Sequence, residues 1–370
     1  MIAQTFAGME DVLARELLKL GASNIKTERR AVSFFGDKGF LYKANFCCRT
    51  AMRILKPIAN FKCPNEDALY EGIKAINWLD LMEVDDTFVI DAICFNSTIN
   101  HSHFASLKAK DAIADKFREA KNARPSIDKA NPNLKVFIHI SNNYCNVSLD
   151  SSGEQLFKRA YRIKTNAAPI NEILAAGMVL MSGWDLRSNF IDPMCGSGTI
   201  PIEAALYAGN IPAGYYRNGF GFQKWKDFDE NLWDKIVESS LNKIVEFEHE
   251  IIASDISSAA IDITNINLKN AKLHKDVLVM KKAFEELEPS NGRATIIMNP
   301  PYDERLKLQD SISFYKMIGD TLKNKYREQN VWVLTADNEA AKYIGLRAEK
   351  KIKLFNGSID CNFVKYDMSF

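Results

Sequence analysis

The chain has 370 residues, 46% hydrophobic and 26% charged, with a formal net charge of +1. That length suits two or three domains with a sizeable core, and the near-neutral balance excludes a uniformly basic nucleic-acid coat. No apolar run is long enough to span a membrane, the N-terminus has no signal-peptide pattern, and the seven scattered cysteines include no CxxC pair. A cytoplasmic protein without a zinc site, a disulfide framework or a bound metal is therefore expected.

Charge is unevenly spread. Residues 1–165 hold 24 Lys+Arg against 19 Asp+Glu, a balance of +5, and residues 166–370 hold 24 against 28, a balance of −4. A front half facing phosphates would show this, and so would ordinary surface variation.

In chain order, residues 1–60 read as a small α+β unit. Gly8 to Leu17 carries a helical apolar period, Ala31 to Phe35 is strand-like, and Pro57 and Pro64 mark a boundary. Residues 61–165 read as a second module. Phe88–Ile93, Val136–Ile140 and Tyr144–Leu149 are strand candidates, and Leu107–Ala120 is a helix with Ala109, Ile113 and Phe117 on one face. Lys108, Lys110, Lys116 and Arg118 lie off that face, where they would track phosphates or simply meet water.

From residue 166 strands and helices alternate, the pattern of a doubly wound parallel sheet. The expected elements are strand Asn189–Ile191, helix Thr199–Tyr207, strand Glu250–Ser254 and helix Ala259–Ala271, then strand Ala294–Met298, helix Ile312–Lys323 and strand Asn330–Thr335. Two strand-like runs around Asn356-Gly357 predict a closing antiparallel hairpin. Residues 209–249 lengthen one connection well beyond the norm, with Trp225 and Trp233 expected in its own core.

Three constellations carry chemistry. Asp192-Pro193-Met194-Cys195-Gly196-Ser197-Gly198-Thr199 ends one strand and opens a helix. Its glycines allow close approach, the helix N-terminus suits a carboxylate, and Asp192 suits an ammonium group, so a zwitterionic tail would use both. A structural turn, or another kind of nucleotide loop, is the alternative. Ser254-Asp255-Ile256 ends the next strand, where a carboxylate would take ribose hydroxyls or merely meet solvent. Asn299-Pro300-Pro301-Tyr302 follows the strand Ala294–Met298, at the sheet edge where open α/β folds bind ligands. The nitrogen of an exocyclic ring amine is a poor nucleophile because its lone pair is delocalised. The Asn299 side-chain oxygen and the Pro300 carbonyl would each accept one N–H, which aims the lone pair at a methyl donor. Tyr302 offers a stacking face. A rigid turn with a surface Tyr is the competing reading. No His or carboxylate stands out as a general base, so the proton would leave to solvent.

In this order the three motifs resemble those of class I S-adenosyl-L-methionine-dependent amino-methyltransferases. The resemblance extends through Leu69-Tyr70-Glu71-Gly72, His101-Ser102-His103-Phe104, Leu156 to Arg162, Ala168 to Glu172, Asn299 to Arg305 and Leu354 to Gly357. Over nearly the whole chain it resembles the THUMP-containing 23S rRNA guanine-N2 methyltransferase L family, whose members are often labelled N6-adenine DNA methylases.

The resemblance implies a ferredoxin-like module (1–60), a THUMP RNA-binding domain (61–165) and a methyltransferase domain (166–370). It implies that Asp192, Cys195, Gly196, Gly198 and Thr199 line the methionine end of the cofactor. Asp255 would hold its ribose, Ile256 would pack on the adenine, and Ala283 and Phe284 would lie beside it. Asn299, Pro300 and Tyr302 would hold the target guanine, while Lys158, Arg159 and Arg162 would join Lys108 and Lys110 against a structured RNA, 23S rRNA. Two departures stand out. The usual acidic residue near the adenine is replaced by Met280-Lys281-Lys282-Ala283-Phe284, and the usual Gly before Tyr161 is Ala160. Rival readings are adenine N6 in DNA or RNA, guanine N2 in tRNA, and a non-catalytic RNA-binding assembly factor.

Overall fold

The computed structural model describes residues 1–165, 169–301 and 308–369. Among these residues the strands form two sheets, one of eight strands and one of seven.

The first sheet is built from β1 (Ile2–Gln4), α1 (Glu10–Leu20), β2 (Ser23–Glu28), β3 (Ala31–Phe35), α2 (Lys38–Cys47) and β4 (Arg53–Lys62). It continues through α3 (Glu66–Ala75), β5 (Thr87–Phe95), α4 (Ser102–Lys121), β6 (Ser126–Ile127), β7 (Leu134–Ser141) and β8 (Tyr144–Asp150). Its strand order is β2-β3-β1-β4-β8-β7-β5-β6. The first two modules thus share one sheet, joined where β4 pairs with β1 on one edge and with β8 on the other. Pro57 does not end an element, as its residue type suggested. It lies inside β4, at a register shift between Pro57 and Ala59 where the ladder needs no amide from it. The helices bury Leu13, Leu17, Leu41, Leu69, Ile73, Ala109, Ile113 and Phe117 against this sheet.

The second sheet follows from α5 (Glu172–Met181), β9 (Asn189–Asp192), α6 (Thr199–Ala208), α7 (Glu230–Leu241), β10 (Ile251–Asp255), α8 (Ser258–Asn270) and β11 (Val277–Lys281). β12 (Ala294–Met298), α9 (Leu308–Lys325), β13 (Asn330–Thr335), β14 (Ala348–Asn356) and β15 (Ile359–Tyr366) complete it. The order β11-β10-β9-β12-β13-β15-β14 is parallel up to β13, and β14 and β15 form the closing antiparallel hairpin. Helices cover both faces: Ile173, Ile202 and Leu268 pack beside Phe190 on one, and Tyr315, Ile318 and Leu322 beside Ile191 on the other. Adjacent residues of one strand therefore face opposite cores, which is why β9 reads as an unbroken apolar run.

The long connection does not form a core of its own, contrary to the expectation for its tryptophans. Phe222 stacks on Tyr42 with ring centroids 4.3 Å apart, and Trp233 meets Phe46 edge-on at 5.5 Å. Residues 209–249 thereby bolt the second sheet's unit onto α2 of the first. No helix among the described residues is long and apolar enough to cross a membrane.

Candidate active site

The three motifs converge because three neighbouring strands end at the same edge. β9 is central, with Ala253 of β10 opposite Asp192 on one side and Ile296 of β12 opposite Ile191 on the other. Asp192, Asp255 and Asn299 therefore all leave the sheet at its carboxyl end, beside the N-terminus of α6.

The glycine loop is fixed by its own backbone and by α8. Gly196 (φ +56°) donates its amide to Asp255 Oδ2 at 3.0 Å, and Gly198 (φ +79°) donates to the Cys195 carbonyl at 2.8 Å. A Cβ at Gly198 would lie 2.8 Å from Thr264 Cγ2, so only glycine serves there. Thr264 donates its hydroxyl to the Gly196 carbonyl at 3.0 Å. Asn267 donates to the carbonyls of Ser197 and Lys164, both at 2.9 Å. Both side chains are fully buried. Their spacing of three residues on the inner face of α8 was the only sequence signal for this support, and it was missed.

Asp192 is 1% exposed, and its Oδ2 has no hydrogen-bond partner among the described residues. Among the described residues Oδ1 accepts only the Met194 amide, at 3.2 Å. Burial pushes this carboxyl up to about 8, and the nearby Asp255 charge adds to the rise. A buried carboxylate without a cation is costly, so the site is built to receive one. Asp255 is half-buried and accepts the amides of Gly196 and Ser257, leaving lone pairs on both oxygens for ribose hydroxyls. Ile256 beside it is 71% exposed, an apolar face at the edge of the site.

Asn299 supplies the second orphan. Its Oδ1 is buried and unpartnered among the described residues. Pro300 is buried and Pro301 exposed. Tyr302 and the Asp303–Arg305 stretch lie outside the described residues, as does Ala168. Among the described residues these are two unsatisfied buried oxygens at one sheet edge, the first suited to a cation and the second to an N–H donor.

Several expected contacts need correction. The Phe284 ring is buried and stacks on Tyr326, with centroids 5.3 Å apart, so its face is not free for an adenine; only the backbone at Ala283 and Phe284 remains for that purpose. The Thr199 hydroxyl turns inward to Arg162 at 3.0 Å and Ser197 at 3.3 Å, which leaves its helix-terminal amide as the group facing a ligand. The Cys195 thiol is buried against Thr264 at 3.6 Å, with burial pushing its pKa well up; the residue shapes the loop through its backbone.

Arg159 cannot touch RNA phosphate. It is 1% exposed and pairs with Glu203 at 3.3 Å, while its other nitrogens take the carbonyls of Leu156 and Arg49. Tyr161 donates to the same Glu203 oxygen at 2.9 Å. Arg162 is likewise committed inward, to Glu172 at 3.2 Å and to the Ile170 carbonyl at 2.7 Å. This basic run is a buried clasp between the two sheet units. Arg159→Ala is expected to cost about 3–5 kcal/mol of stability by stranding Glu203, read by chemical denaturation; a loss under about 1 kcal/mol would contradict it. Ala160, between them, holds φ +67°, the reason glycine is usual there. Ala160→Gly is expected to raise the melting temperature slightly, by up to about 1 kcal/mol of stability; a lowered melting temperature would count against strain at this residue.

Comparison with known proteins agrees with this geometry. The model of the RMKL-like methyltransferase domain matches residues 159–365, the THUMP domain 63–150 and the RlmL ferredoxin-like domain 1–55. "Putative RNA methyltransferase slr0064" of Synechocystis sp. is 35% identical over 98% of this chain and 94% of its own. The crystal structure of SMU.472 in complex with SAH superposes with a TM-score of 0.92 at 27% identity, covering 100% of this chain and 98% of that one. The crystal structure of "a possible methylase" from Clostridium difficile 630 gives 0.91 at 31%, with the same coverage. Fold and site together define a class I methyltransferase. The chain belongs to the RlmL-like family of THUMP-containing methyltransferases.

Proposed function

We propose that this chain transfers a methyl group from S-adenosyl-L-methionine to the exocyclic N2 of a guanine in structured RNA, 23S rRNA. The observation that carries the reading is that Asn299 Oδ1 and Asp192 Oδ2, at the ends of neighbouring strands, are both buried and without a partner among the described residues. When bound, the cofactor supplies an electrophilic methyl group on a sulfonium.

This chain's residues do the rest. Asp192 pairs with the ammonium of the cofactor's amino-acid end, the Ser197 and Thr199 amides, not engaged by the loop itself, face its carboxylate, and Asp255 takes the ribose hydroxyls. Asn299 Oδ1 and the Pro300 carbonyl accept the two amine hydrogens and hold the nitrogen lone pair toward the methyl group. Tyr302 stacks on the target base, which must leave its helix to reach this edge. The amine proton passes to solvent after transfer.

An RNA substrate is supported by the THUMP domain and by the relative's description. Lys108, Lys110 and Lys158 remain candidate phosphate contacts. Their ion pairs with Asp67 (3.9 Å), Asp111 (2.9 Å) and Glu154 (2.8 Å) are at the surface and are worth little, so a phosphate displaces them readily. Offering labelled S-adenosyl-L-methionine with unmodified 23S rRNA, tRNA and DNA tests the substrate class. Label in rRNA is expected. Label only in tRNA or DNA would overturn the rRNA reading, and binding without transfer to any of them would favour a non-catalytic assembly factor.

A further inference from the structure

We infer a second ligand site, for a small phosphate-bearing molecule of mononucleotide size, in the cavity between α1, α2, the end of α5, the end of α6 and the connection after it. The cavity holds about 360 Å³, the lower range of small-ligand sites. Arg15, Lys19, Lys43, Arg49 and Lys243 line it, against one carboxylate, Glu16. None of the five cations has a carboxylate partner within ion-pair distance among the described residues. Glu16 is already committed: its oxygens accept the amides of Arg49 and Thr50, the Thr50 hydroxyl and the Cys48 thiol.

Arg49 makes this more than a cluster of surface cations. It is 7% exposed, yet Nη1 has no hydrogen-bond partner among the described residues. Nη2 is accounted for, because it caps the carbonyls of Leu206 and Ile211 at 3.0 and 2.7 Å. A guanidinium clamped by one nitrogen, lying over the Tyr207 ring at 5.9 Å and keeping a buried, unpaired donor at the cavity wall, is preorganised for an anion. The remaining lining suits a flat, partly apolar body: Tyr207, Val12, Leu20, Leu180 and Pro212. A phosphate on an aromatic or sugar moiety fits this pairing better than a bare ion. The cavity is separate from the methyl-transfer site, since it lies at the far end of α6, about 15 Å along that helix from the glycine loop. Because its walls come from the first module, the methyltransferase domain and the connection, a ligand there would strengthen the junction.

Titration calorimetry and thermal melting with 5′-AMP and inorganic pyrophosphate test this on the full chain, with S-adenosyl-L-methionine saturating. AMP at ten times its Kd is expected to raise the melting temperature by about 2 °C. The double variant Lys19→Glu/Lys243→Glu, which alters two exposed residues, is expected to weaken AMP at least about tenfold while leaving cofactor affinity unchanged. Absence of AMP and pyrophosphate binding, or binding that the variant leaves intact, would overturn the site. Loss of affinity only for an RNA fragment would overturn it too, by assigning these cations to a polynucleotide backbone. Neither outcome depends on which base is methylated.

Discussion

Asn299→Ala is expected to lower the rate of methyl transfer by about 10²–10³-fold, while cofactor affinity stays within about twofold. The asymmetry follows from where the oxygen stands. Asn299 Oδ1 is buried without a partner among the described residues, and no part of the glycine loop or of Asp255 bonds to it. On the proposed reading, an acceptor without a partner among the described residues gains its hydrogen from the amine, so its worth is expected at the reacting nitrogen and not in holding the donor. Asn299→Asp keeps an acceptor oxygen and is expected to retain more activity than the Ala variant. Single-turnover transfer and cofactor titration on the same preparations separate the two effects. A cofactor Kd weakened tenfold by the Ala change would place Asn299 in the wrong half of the site.

Asp192→Asn is expected to act in two opposing directions. Cofactor affinity falls by about 10- to 100-fold, because a hydrogen bond to a charged group contributes ~1.5–3 kcal/mol. The unliganded chain gains stability. Burial, aided by Asp255, lifts the Asp192 carboxyl to about 8, whereas unfolded it titrates in the ordinary carboxylate range. Between those limits the native state keeps a proton that the unfolded state has lost. Stability therefore falls as pH rises through that window and levels off above about 8, and the Asn variant loses this slope. An arriving ammonium draws the carboxyl back to its ionised form, so cofactor binding at pH 7 releases a proton from the wild type but not from the variant. Calorimetry in buffers of different ionisation enthalpy measures the release. Equal proton exchange by wild type and variant would contradict the pairing.

Much of the second sheet was legible because its parallel strands are short apolar runs with punctuated ends. β12 spans Ala294–Met298 and β13 Asn330–Thr335, as their sequences indicate, and Asn356-Gly357 marks the hairpin turn. α5 was not legible. Eight of its ten residues are buried, so no polar face gave it a helical period. β4 was hidden by Pro57, whose usual meaning is reversed by a bulge.

The site divided along similar lines. Asp192, Asp255 and Asn299 could be placed because strand ends define a ligand edge. Arg159 and Arg162 could not, because a charge in sequence does not reveal whether a carboxylate such as Glu203, 44 residues away, already holds it. The placement of the Phe284 ring was not legible for a related reason. An aromatic next to a cofactor loop packs into whichever apolar neighbour the fold supplies, and here that is Tyr326.

The most direct test of the account is to digest RNA methylated by this protein and identify the modified nucleoside by mass spectrometry. The account predicts N2-methylguanosine, formed by wild type and absent with Asn299→Ala. N6-methyladenosine in its place would contradict the guanine assignment, and an undiminished product from the Ala variant would contradict the role given to Asn299.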